Sequence, residues 1–100
     1  MGRRYSLTPA ARADLVDIDD YIRQDSPEAA ERVRAKLRQA MRKLAEDPGM
    51  GHLREDLADE PLRFWPLYSY LIIYRAAARP IEILRIIHGS RDVRKLLAGP

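Results

Sequence analysis

The stretch LRFWPLYSYLIIYRAAARPIEILRIIHGSRD, Leu62 to Asp92, decides how this chain folds. β-Branched and aromatic residues crowd into three runs, and Pro66 and the segment Ala76 to Pro80 punctuate them. That pattern predicts three consecutive antiparallel strands ending in a polar, basic turn. The run Tyr70-Leu71-Ile72-Ile73-Tyr74 is apolar at consecutive positions, so both of its faces need cover and it reads as a central strand. The run Ile81 to His88 places Arg85 in its interior. A guanidinium cannot be left unpaired in a dry core, so Arg85 must reach a partner or a solvated groove.

Outward from the sheet, Thr8-Pro9 and Ser26-Pro27 each offer a capping hydroxyl followed by a proline suited to the first helical position. Ala11, Leu15, Ile18 and Ile22 form the apolar stripe of a first helix, and Ala30, Val33, Leu37, Met41 and Leu44 that of a second. A hairpin of two such helices must bury its stripes, and the sheet of Leu62 to His88 is the surface available. Asp14, Asp17, Asp19 and Asp20 lie off the first stripe and read as a solvated face. Opposite the second stripe, Arg34, Arg38 and Arg42 make a basic ridge, some of whose charge the Glu28–Arg32 and Glu31–Arg34 spacings pair locally. Arg3 to Thr8 alternates weakly and predicts a short first strand at or near the sheet edge. Asp47 to Gly51 is turn chemistry, and the segment from there to Pro61 reads as a long, mobile loop holding His52, Arg54 and the acidic Glu55, Asp56, Asp59 and Glu60. After Gly89-Ser90, Arg91 to Leu97 predicts a short helical tail. The whole, residues 1–100, is one α+β domain: an N-terminal strand, a helical hairpin on a mainly antiparallel sheet, and a short C-terminal tail.

Composition narrows the chemistry. There is no cysteine, so disulfides and thiol catalysis are excluded, and two distant histidines make a metal site a poor expectation; no cofactor is expected. No apolar run reaches a membrane span and no signal-peptide core follows Met1-Gly2-Arg3-Arg4, which predicts a cytoplasmic protein. The net charge of +3 conceals segregation: −3 over residues 1–31, +5 over 32–54, −4 over 55–60 and +5 over 61–100. Such basic segments suit solvated surface, nucleic acid or an acidic protein partner.

No nucleophile elbow, phosphate-binding glycine loop or HExxH occurs. One constellation carries possible chemistry: Arg63, Arg75, Arg85, His88 and Arg91, in which guanidiniums around an imidazole would hold a phosphodiester and supply a proton donor. The alternative is that His88, at a strand end, bonds a backbone group.

The ordered phrases Tyr5-Ser6-Leu7-Thr8-Pro9-Ala10-Ala11, Asp20-Tyr21-Ile22, Ser26-Pro27-Glu28-Ala29-Ala30, Asp47-Pro48-Gly49-Met50-Gly51, Leu62-Arg63, Tyr70-Leu71-Ile72-Ile73-Tyr74-Arg75 and Ile86-Ile87-His88-Gly89-Ser90-Arg91-Asp92 resemble the RelE/ParE toxin superfamily of type II toxin–antitoxin systems over nearly the whole chain. The tail after His88 has no tyrosine of the kind the mRNA-cleaving RelE branch usually carries, and the chain looks like the ParE branch. Tyr68 departs from that branch, which often has a small residue in the hairpin turn. The resemblance implies a non-enzymatic toxin that inhibits DNA gyrase and forms a hetero-oligomer with a ParD-like antitoxin. On that reading Arg63, Arg75, Arg85, His88, Arg91, Arg94 and Lys95 meet the target, and Trp65, Tyr70 and Tyr74 meet the antitoxin. The alternatives it leaves are a ribosome-dependent mRNA endonuclease and a homologue that only binds its antitoxin.

Overall fold

A computed structural model describes residues 4–98; Arg3, assigned above to the first strand, lies outside them. Thr8 ends one element and begins the next. Its backbone closes a three-residue strand, β1 (Tyr5–Leu7), while its side chain accepts a hydrogen bond from Ala11 N–H and caps helix α1 (Pro9–Arg23). Ser26 repeats the device for α2 (Pro27–Glu46), accepting from Ala29 N–H. A single 3₁₀ turn, Pro48–Met50, leads into a two-residue strand, β2 (His52–Leu53), where an irregular loop was expected. Strands β3 (Arg63–Leu67), β4 (Tyr70–Arg75) and β5 (Ile81–His88) and a six-residue helix, α3 (Val93–Ala98), complete the described residues.

The five strands form one mixed sheet in the order β1-β5-β4-β3-β2. β4 is central, as its unbroken apolar run requires, and β1 is an edge strand, running parallel to β5 with Tyr5 opposite Ile81. Pro66 does not end β3. It sits beyond the last β2 partner, where β3 is itself an edge and the missing N–H interrupts no ladder. The register between β4 and β5 shifts by one residue, from Ile73 opposite Arg85 to Tyr74 opposite Ile83. This irregularity lets Ile83 and Ile86, an odd number of residues apart, both face the helices.

Each face of the sheet carries a core. Ile72, Tyr74, Ile81, Ile83 and Ile86 pack beneath Ala11, Leu37, Met41 and Leu44 of the hairpin. On the reverse face Phe64, Ile73 and Ile87 lie beneath Leu57, Leu62, Val93, Leu96 and Leu97. The hairpin is therefore not the only cover. The acidic loop and α3 close the second face, an arrangement invisible to helix periodicity because the loop has none.

Candidate partner and target surfaces

Of the seven basic residues that sequence put forward for the target, four are engaged within the chain. Arg85 makes a two-pronged pair with Asp14, Nε to Oδ2 at 2.8 Å and Nη2 to Oδ1 at 2.9 Å, and the same carboxylate accepts Ile86 N–H at 2.9 Å. Asp14 is thus no solvated residue: its side chain is 11% exposed, and it takes the place of a strand partner where β1 has ended and the β5 edge would lie open. Thr8 serves the same edge, its N–H donating to Ile83 O and its hydroxyl to Leu84 O. Donating hydrogen bonds to Asp14 pushes the Arg85 guanidinium further up, so this cation stays charged. Arg63 donates to Gly51 O at 2.7 Å, Arg75 pairs with Glu60 and Glu82, and Arg94 reaches Asp59 and Asp56 O. The ring of arginines imagined around His88 is therefore not assembled, because each strand arginine reaches a nearer acceptor.

His88, Arg91 and Lys95 have no ionic partner among the described residues. His88 meets the backbone-bonding alternative: its Nδ1 accepts Ser90 N–H at 3.1 Å and lies 2.6 Å from Ser90 Oγ, so the neutral ring keeps its proton on Nε2. Tyr70 stands edge-on to it, centroids 5.8 Å apart. Both border a cleft of about 530 Å³ with Tyr21, Tyr68 and Arg91. Tyr21 is 73% and Tyr68 62% exposed, and Tyr68 occupies the two-residue β3–β4 turn at φ 55°, a left-handed conformation that a bulky side chain adopts at a cost. Burial, and secondarily the neighbouring Tyr21, raise the Tyr70 phenol above its ordinary value.

The residues expected to meet an antitoxin divide. Trp65 is half-buried and stacks on His52 at 6.3 Å, and Tyr70 borders the cleft. Tyr74 is completely buried and corrects the expectation: its hydroxyl donates to Pro48 O at 2.7 Å and accepts Gly51 N–H at 2.8 Å, fixing the turn after α2. A larger groove, about 560 Å³, runs between α1, α2 and the edge strand β1. Tyr5, Leu7, Leu15, Val16 and Met41 supply apolar lining, Arg12, Arg34 and Arg38 supply basic side chains, and Asp19 and Asp20 supply acidic ones. The sequence showed the arginines and the stripes; it did not show that β1 would leave the stripes partly uncovered, since that depends on the parallel pairing. Among the described residues no three His, Asp or Glu side chains converge as metal ligands, and no helix is long and apolar enough to cross a membrane.

A family model described as ParE toxin of type II toxin–antitoxin system, parDE, matches residues 5–93. The chain belongs to this ParE toxin family. The ParE-family region spans every strand and both long helices, ending at the first residue of α3. The chain is similar to Toxin RelE2 of Caulobacter vibrioides, 41% identical over 81% of this chain and 89% of that protein. It is also similar to Putative toxin Y4kP of Sinorhizobium fredii, 36% identical over 94% of each. Among solved structures, the chromosomal ParDE TA system from P. aeruginosa matches with a TM-score of 0.69 at 25% identity, over 87% of this chain and 96% of that one. The ParE fold and the strand–hairpin–sheet order read from sequence agree.

Proposed function

We propose that this ParE-family chain acts by binding, with an antitoxin segment seated in the groove between α1, α2 and β1, and with DNA gyrase as the target of the surface around His88, Arg91 and Lys95. The observation that carries binding over catalysis is the engagement of Arg63, Arg75 and Arg85 by Gly51, Glu60, Glu82 and Asp14. A phosphodiester brought to His88 would find Arg91 and not a ring of guanidiniums, and transition-state charge on phosphorus needs such preorganised donors. The groove suits an amphipathic segment with acidic side chains, because apolar side chains line it, three arginines border it against Asp20 and an Asp19 already held by Arg23, and β1 is an edge strand that can take an added strand.

Two experiments test this. Hydrogen exchange on adding antitoxin should protect β1 and the facing sides of α1 and α2; protection confined to 63–70 would return the contact to Trp65 and Tyr70. Induction without antitoxin should give DNA breaks that persist in His88→Ala and weaken in Arg91→Ala with Lys95→Ala. Codon-positioned mRNA cleavage abolished by His88→Ala, a loss of about 10²-fold or more, would establish the endonuclease instead. No growth arrest from the folded wild type would leave antitoxin binding as the activity.

A further inference from the structure

We infer that the outer face of α2 is a contact surface for the phosphate backbone of nucleic acid, a property independent of the gyrase reading. From Arg32 to Lys43 the helix carries six cations and no carboxylate. All six are exposed, and none takes part in an ion pair among the described residues. Glu31, next in sequence, is held by Arg23. This sets α2 apart from the sheet and loop, whose arginines are largely matched to acids.

Helix geometry divides the six. Arg34 and Arg38 line the groove beside α1. At about 100° per residue, Arg32, Lys36 and Lys43 fall within roughly 40° of one another, with Arg42 about 80° from Arg32, on the side away from buried Leu37, Met41 and Leu44. These four cations extend over about 16 Å of axis, the rise of roughly five phosphates of one duplex strand. Their fields add, since the separations are comparable with the ~8–10 Å screening length at physiological salt.

What lies between them identifies the partner. The face presents Ala35 and Gln39 among its cations, Glu28 and Glu46 flanking them one turn beyond either end, and no large apolar side chain. An acidic protein segment needs buried anchors to bind well, which the groove has and this face lacks. A phosphate backbone needs cations, an amide donor and small residues that permit close approach.

The test is fluorescence anisotropy of the full chain with a 20-base-pair duplex, a single-stranded RNA of 20 nucleotides and polyglutamate, titrated with salt from 50 to 200 mM. Each cation–phosphate contact contributes about 0.9 to the slope of log K against log salt. The wild type should bind nucleic acid with a slope of about −3 to −4. Arg32→Gln, Lys36→Gln, Arg42→Gln and Lys43→Gln together should remove most of it, and either half of the set about half. Arg54→Gln with Arg79→Gln, which removes two exposed cations elsewhere, should leave the slope unchanged. Thermal melting verifies that each variant is folded, and if the fourfold variant melts early the two halves carry the comparison. Preference for duplex or single strand identifies which nucleic acid is recognised. No binding at 50 mM salt, a wild-type slope in the folded α2 variants, or polyglutamate bound as tightly as DNA would overturn the inference.

Discussion

The two faces of the sheet are closed by the same chain in opposite ways. One lies under two capped helices of 15 and 20 residues, and the polar tie across it, Arg85 to Asp14, has side chains only 25% and 11% exposed. The other lies under the loop before β3 and the six-residue α3, tied by Arg54–Asp56, Arg75–Glu60 and Arg94–Asp59, whose side chains are between 37% and 95% exposed. Solvent and salt screen exposed pairs of this kind until they contribute little, so the second face depends on a handful of leucines. It is the face expected to open locally below the global unfolding free energy.

Three measurements sharpen or break that contrast. The largest effect should come from Leu44→Ala, a fully buried residue on the hairpin side, at about 3–4 kcal/mol by urea unfolding, against about 1 kcal/mol for the partly exposed Leu97→Ala in α3. Equal costs would mean that the two faces are equally well packed.

Next comes Tyr74→Phe, which orphans Gly51 N–H and Pro48 O, at about 1–3 kcal/mol. Burial, the first cause, raises the Tyr74 phenol above its ordinary value of 10.0. The folded state then holds a proton that the unfolded chain releases. The associated stability is complete below pH 10 and falls as pH rises toward the folded value, and Tyr74→Phe should flatten that alkaline decline. A decline unchanged in the variant would place its origin elsewhere.

The smallest effect should be Asp59→Asn with Glu60→Gln, under about 1 kcal/mol and abolished by 1 M salt. Exchange protection in the loop should drop in this variant while α1 and α2 are unaffected.

Sequence carried the fold far because caps and periodicities are local: Thr8-Pro9, Ser26-Pro27 and the run through Tyr70 to Tyr74 each fell where the structure has them. The sites were less legible because they depend on partners distant in sequence. Asp14 reads as one of four surface carboxylates until β5 is laid beside α1, and the partner that Arg85 was expected to need stays unidentified for the same reason. Tyr74 lies in a run that needs cover on both faces, yet its assignment to the antitoxin stands until Gly51 is seen against its ring; a methyl added there would meet Oη at 2.5 Å. The mobile-looking loop gave no periodic signal of the second core it completes.

Of the five described strands, β1 is synthesised before the others and cannot pair until β5 exists. Tyr5 waits for Ile81, and the Thr8 hydroxyl for the Leu84 carbonyl, 76 residues further on. At translation rates of about 5–20 residues per second, that interval is roughly 4–15 s. Until it has passed, the groove between α1, α2 and β1 lacks the wall that Tyr5 and Leu7 supply. Any segment that recognises the complete groove therefore meets only chains finished through β5, and nascent fragments go unrecognised there.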